Sequence, residues 1–301
     1  MGLGGNDRQA LLSRWIKPSS DSEQDRQDRA QRMILDAINT HSPFSGASVS
    51  VYAKGSYANN TNVRLDSDVD IVVQCAEVLY YDYAQGVTPP AVALPSYGGI
   101  WTAERWRREV AAALIGAFGL SSIDPSGNVA LTVAEKPGSR PSTDVVPSFD
   151  YSLFWSSDGS QLAKGSAVVP KNGGPKIVNW PEQQLDNGRA KNATTGRRYK
   201  NIVRALKNAE NQLVADGQGP KPSYLMECLV YNCSNATLAN GSLDDAFRAT
   251  LADLWQGLTS NAHHEWVEPN GIKYLFRAGQ KWTADDAKEV IAGTWKMLYG
   301  T

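Results

Sequence analysis

The sequence predicts an α+β protein in which a strand-rich lobe precedes a helical one, with a cleft between the two. Three observations carry this. Apolar and polar residues alternate in separate stretches before residue 150, the apolar period lengthens to that of helices after Thr195, and 301 residues are enough for two ordinary domains at about 150 each. The expected division is 1–180, led by a long helix, and 181–301.

The first element follows Pro18. Ser20 and Glu23 form a capping-box pattern, and Ala30, Met33, Ile34, Ala37 and Ile38 recur at helical spacing, predicting one amphipathic helix over 21–41. Val49 and Val51 then alternate with Ser48, Ser50 and Tyr52 in a strand that ends at Lys54-Gly55. A second strand runs through DVDIVVQC. Residues 84–99, rich in Gly, Pro, Tyr and Ser without a period, predict a long loop. Trp106, Val110, Ala113, Leu114 and Ala117 mark the buried stripe of the next helix, and VALTV and STDVVPSF read as strands around a PGSRP turn. Four helical patterns follow: GRRYKNIVRALKNAENQL, SYLMECLVYN, Ser242 to Leu258, and Thr283 to Tyr299. The last is bracketed by a Thr283/Asp286 capping box and Gly300.

Composition narrows the function classes. Hydrophobic content of 42% with nine Trp and twelve Tyr excludes a disordered chain. Thirty Lys and Arg against thirty-one Asp and Glu give a formal charge of -1, so no global field attracts nucleic acid or an anionic membrane. The opening residues lack the apolar run of a signal peptide, and no stretch approaches the ~20 apolar residues of a membrane span. Cys75, Cys228 and Cys233 are an odd count without CxxC spacing, as in a reduced compartment. The expectation is a cytoplasmic protein without membrane attachment.

The chemistry concentrates in KGSYANNTNVRLDSDVDIVV, residues 54–73. Side chains on a strand repeat every two residues, so Asp66, Asp68 and Asp70 project from one face while Val69, Ile71 and Val73 serve the core. Carboxylates packed that closely repel unless a cation neutralises them, and an all-oxygen donor set suits Mg²⁺ or Mn²⁺. Gly55, lacking Cβ, lets backbone N–H groups approach a polyphosphate, and the Ser56 hydroxyl can donate to a phosphate oxygen. Asp144 is a lone carboxylate in a β-branched run, the pattern of a neighbouring strand aiming a third ligand at the same metals. On GRRYKNIVRALKN, Lys200, Arg204 and Lys207 fall on one helix face as a basic stripe.

Gly-Ser, a gap to Asp68-Val69-Asp70 and a later Asp144 resemble the polymerase-β-like nucleotidyltransferases. SYANNTNVRLDSDVDIVV, NGRAKNATTGRRYKNIVRALKN and PSYLMECLVY are similar to blocks of the bacterial CD-NTases, the cyclic GMP-AMP synthase/DncV-like enzymes, and most like their clade E. The resemblance spans the helix at ~21 to the helix at ~232. It implies a polymerase-β-like catalytic lobe with a mixed sheet and a helical nucleotide-binding lobe. It also implies two Mg²⁺ or Mn²⁺ ions on Asp68, Asp70 and Asp144, and a cyclic dinucleotide made from triphosphates that include ATP or UTP, in bacterial anti-phage (CBASS) signalling through a product-binding effector. By the same resemblance Lys207 reaches the donor phosphates, Ser223 binds a phosphate oxygen and Tyr224 stacks a base; for choosing the base the sequence itself offers Asn179 in IVNWPEQ, an amide that donates and accepts at once. The zinc insertion of vertebrate cyclic GMP-AMP synthase has no counterpart, so no nucleic-acid activator is expected.

Competing readings are weaker. An EF-hand starting at Asp66 needs Gly at its sixth position, where Ile71 stands; Asp66 itself reads as a solvated residue at the strand entrance. His263, His264 and Glu265 read as structural, because adjacent side chains on a regular element point apart. Nucleotide addition to RNA or to linear oligoadenylate would want a longer basic groove, and a non-catalytic scaffold has no need of three converging carboxylates.

Overall fold

The computed structural model describes residues 2–18, 20–63 and 69–300. Asp66 and Asp68 lie outside the described residues.

Helix α1 (Gly5–Trp15), which the sequence analysis does not predict, buries Leu12 and packs Leu11 and Trp15 partly beside it. In α2 (Asp21–Thr40), Ser20 and Glu23 exchange both hydrogen bonds of the expected capping box, an end device worth about 1 kcal/mol. Strand β1 (Val49–Lys54) passes directly into the single turn α3 (Gly55–Ala58). The strand β2 (Val69–Tyr83) runs well beyond the predicted DVDIVVQC, and α4 (Ala103–Phe118) follows a stretch without regular structure over 84–99. Then come β3 (Ile123–Asp124), β4 (Leu131–Val133), β5 (Thr143–Phe154), β6 (Leu162–Val168) and β7 (Ile177–Asn179).

Among the described residues these seven strands form one mixed sheet in the order β1-β2-β5-β4-β3, with β6 on the far half of β5 and β7 on β6. Only β2 and β5 are parallel. A parallel pair needs a crossover, and α4 supplies it. Alternation sends Val69, Ile71, Val73 and Cys75 of β2, with Val145 and Phe149 of β5, onto the apolar stripes of α2 and α4. Trp106 is fully buried there, its indole Nε1 donating to the Val73 carbonyl at 3.1 Å. The opposite face carries Asp70, Gln74, Asp144 and Asp150, all partly exposed.

The second unit is helical: α5 (Pro181–Thr194), α6 (Arg198–Ala215), α7 (Ser223–Tyr231), α8 (Asn235–Leu238), α9 (Leu243–Thr259) and α10 (Ala284–Tyr299). Leu206, Leu229, Phe247, Leu254 and Leu298 pack in its core, and Leu12 joins them. Chain contacts accordingly divide the protein into Ser20–Tyr57 with Ser67–Pro181, and Met1–Ser19 with Ala58–Asp66 and Glu182–Thr301. By contacts the chain enters the helical unit for the last time at Glu182. The two earlier entries have no counterpart in the sequence reading, which took no helix from Leu11, Leu12, Trp15 and Ile16, although all four pack on the helical core. No described helix is long and apolar enough to cross a membrane, and all three cysteines are free and buried.

Candidate active site

Asp70 and Asp144 stand directly opposite each other in the parallel β2–β5 register. Paired residues share a sheet face and sit one strand spacing apart, about 4.8 Å between backbones. Both carboxylates are therefore neighbours on the face that α2 and α4 leave uncovered. The same transverse row continues to Lys54 on β1 at one side, and to Thr132 on β4 and Asp124 on β3 at the other. Asp144 accepts a hydrogen bond from Thr132 Oγ1 at 2.7 Å through Oδ1.

Gly55 explains how Asp70 is accommodated. Its φ is +72°, in the region that favours glycine, and a Cβ built there would lie 2.8 Å from Asp70 Oδ2. The sequence reading gave this glycine to the approach of a polyphosphate; the close neighbour in the structure is the Asp70 carboxylate itself. Gly55→Ala meets both the clash and a left-handed backbone penalty of about 1–2 kcal/mol, and is expected to lower turnover about tenfold or more. Steady-state rates beside thermal unfolding check this: a stable variant with unchanged turnover overturns the explanation.

The two described carboxylates fit a divalent cation. They are hard oxygen donors on a rigid strand pair, set side by side, where like charges repel unless neutralised. Among the described residues no three His, Cys, Asp or Glu side chains converge as a ligand set; Asp68, two residues before Asp70, is the expected third donor and lies outside them.

Farther along this face the surface is polar and ordered. Tyr52 donates its hydroxyl to Gln74 Oε1 at 2.5 Å, and Gln74 Nε2 donates to Asp150 Oδ1 at 2.5 Å. Burial pushes the Tyr52 phenol up to about 12, against a hydrogen bond with Ser166 that pulls it down, so it is a neutral donor. Asp150 pairs with Ser166, and Ser166 with Asn179. Asn179 thus lies on the same sheet face as Asp70 and Asp144, six positions along β5 and two strands across. Gly165 is needed beside it, since a Cβ there would come within 2.6 Å of the Asn179 carbonyl oxygen.

The helical unit holds the remaining predicted residues, and here the placement differs from an exposed basic stripe. Arg204 is buried, 6% exposed. Its guanidinium donates to the backbone oxygens of Ile16 and Asn60 and to Asn201 Oδ1, at 2.6–2.7 Å. Burial pushes it down to about 10, leaving it charged at neutral pH. Two early chain segments pack on this face of α6, and Arg204 ties them together. Lys207 is also buried, and Lys200 is half-buried, with its ammonium lowered by desolvation while Glu227 opposes the shift. Ser223 starts α7. Tyr224 sets its ring edge-on to Trp282, centroids 6.0 Å apart, and donates to Glu268 Oε2 at 3.3 Å. His263 packs against Trp266 and Phe276, in keeping with a structural role.

Glu227 escaped the sequence reading. It is 2% exposed and accepts from Asn59 Nδ2 (3.0 Å), Thr61 Oγ1 (2.7 Å) and Gln184 Nε2 (3.3 Å). A signal existed: it is the lone charge within the apolar run SYLMECLVY.

Comparison with known proteins gives the family. The family model for the C-terminal helical domain of cGAS/DncV-like nucleotidyltransferases matches residues 186–299. The cyclic dipyrimidine nucleotide synthase CdnE of Legionella pneumophila is 35% identical over 297 residues, 97% of this chain and 98% of its own. Its namesake from Cecembia lonarensis is 31% identical over 294 residues, covering 95% and 97%. The structure of Elizabethkingia meningoseptica CdnE cyclic dinucleotide synthase with GTP and Apcpp matches with a TM-score of 0.78 at 27% identity, covering 96% and 97%. With a third of its residues identical along nearly the whole length of such a relative, and with their fold, this chain belongs to the CD-NTases, the cGAS/DncV-like family of nucleotidyltransferases.

Proposed function

We propose that the protein is a metal-dependent synthase that joins two nucleoside triphosphates, at least one of them UTP, into a cyclic dinucleotide. The observation that carries this is the facing of Asp70 and Asp144 across two parallel strands, on the sheet face opposite α2 and α4. The named pyrimidine products of the Legionella and Cecembia relatives support the nucleotide choice.

Asp68, Asp70 and Asp144 would hold two Mg²⁺ or Mn²⁺ ions, which when bound neutralise triphosphate charge and make a ribose hydroxyl easier to deprotonate. The remaining work belongs to the chain. The Gly55-Ser56 turn keeps Asp70 in place and offers the Ser56 hydroxyl to a phosphate oxygen. Asn179, an amide able to donate and accept at once, reads a base edge. On the helical unit, Lys200, Lys207 and Ser223 are assigned to phosphates and Tyr224 to base stacking, worth about 1–3 kcal/mol per base. Arg204, assigned to phosphates with them, gives three of its five guanidinium N–H groups to Ile16, Asn60 and Asn201. In each transfer a ribose hydroxyl attacks an α-phosphorus in line, the bond to the β-phosphate breaks, pyrophosphate leaves and the hydroxyl proton passes to solvent. The second transfer closes the ring. A cytoplasmic role in anti-phage (CBASS) signalling, with an effector that binds the product, completes the proposal.

Incubation with Mg²⁺ and the four triphosphates, singly and in pairs, tests it. The expected product is phosphatase-resistant and has the mass of a cyclic dinucleotide containing UMP. Linear, phosphatase-sensitive chains overturn the cyclic assignment, and a purine-only product overturns the base assignment.

A further inference from the structure

Thr132 is the middle residue of the three-residue strand β4, between Leu131 and Val133, both fully buried on the opposite face. Those two anchors fix the backbone, and a β-branched side chain has few χ1 choices. Its hydroxyl therefore has little freedom in where it points. Two carboxylates flank it in the transverse row, Asp144 on β5 and Asp124 on β3. Asp124 accepts from the backbone N–H of Ser126 at 2.9 Å. The Thr132 hydroxyl goes instead to Asp144 Oδ1, at 2.7 Å. Among the described residues Thr132 is the hydrogen-bond donor to the Asp144 carboxylate, and it engages Oδ1.

We propose that Thr132 is a positioning residue for Asp144: by holding Oδ1 it fixes the carboxylate rotamer and leaves Oδ2 as the oxygen presented to a divalent cation. The inference rests on the metal-dependent reading above and extends it to a neutral residue that touches neither substrate nor metal. Partners that orient a ligating carboxylate typically matter 10–100-fold in metal affinity or activity. Without the hydroxyl, the carboxylate can turn about its terminal torsion, which is broad and roughly two-fold.

The test compares Thr132→Val, which keeps shape and β-branching but removes the donor, with Thr132→Ser, which keeps the donor. Mn²⁺ affinity is read by electron paramagnetic resonance of free Mn²⁺ during titration, in the absence of nucleotide, together with the metal-free unfolding temperature. Thr132→Val is expected to bind Mn²⁺ about tenfold more weakly with an unfolding temperature close to wild type, while Thr132→Ser stays within about twofold of wild-type affinity. If the Val variant unfolds early, Thr132→Ala against Thr132→Ser, which differ by the hydroxyl alone, decides by the same Mn²⁺ readout. Equal Mn²⁺ affinity in wild type and the donor-free variant overturns the role of Thr132 while the metal reading stands. Wild type that binds no Mn²⁺ and forms no phosphodiester product overturns the metal reading, and Thr132 with it.

Discussion

Asp144→Asn and Asp70→Asn each lower nucleotide transfer by about 10³-fold or more without unfolding the protein. The substitution keeps shape and removes charge. At position 144 the amide oxygen still accepts from Thr132, so the hydrogen bond across β4 and β5 is retained. What is lost is one of the two described negative charges facing each other across the parallel strands. Stabilisation of transferring phosphoryl charge at a metal site amounts to several kcal/mol; about 4 kcal/mol is roughly a thousandfold in rate. Stability moves the other way. Neutralising one of two adjacent like charges relieves repulsion, so in EDTA the unfolding temperature of Asp144→Asn equals or exceeds wild type. Added Mg²⁺ raises wild type and leaves both variants behind. The checks are product formation from labelled triphosphates and calorimetry with and without metal. Either variant retaining a tenth of wild-type rate removes that residue from the chemistry.

What the sequence made legible follows from how physics leaves marks in it. The helices Asp21–Thr40 and Ala284–Tyr299 carry capping boxes and full apolar stripes, and both formed where expected. Helix Pro181–Thr194 buries only Gly188 and has no stripe to read. Strand Leu162–Val168 contains Gly165 and Lys164 in place of alternation, and owes its pairing to β5 on one side and β7 on the other. Asp70 and Asp144 stood out because a charge inside a β-branched run needs a reason. Their register on neighbouring strands is tertiary, as is the hydroxyl of Thr132, an ordinary strand residue until Asp144 lies beside it. Arg204 shows the converse. Helical spacing placed it on one face with Lys200 and Lys207 but could not say that residues 16 and 60 would cover that face.

Glu227→Ala is expected to destabilise the helical unit by about 3–5 kcal/mol, because it strips the acceptor from buried neutral donors. Glu227 is enclosed in the unit and binds three donors from two separate stretches, Asn59 and Thr61 on one and Gln184 on the other. Removing the carboxylate leaves the Asn59 amide and the Thr61 hydroxyl buried without that acceptor; each such loss costs about 1–3 kcal/mol. Water cannot fully substitute, since both donor residues are almost completely buried. Glu227→Gln retains the volume and one acceptor oxygen but turns an amide donor toward Asn59 or Thr61, so an intermediate loss of about 1–2 kcal/mol is expected. Near 2–4 °C per kcal/mol for a protein part of this size, the alanine variant should melt about 6–20 °C below wild type. Thermal unfolding followed by circular dichroism orders the three proteins as wild type, Gln, Ala. An alanine variant melting within 2 °C of wild type contradicts the network's role in holding residues 58–63 to α7.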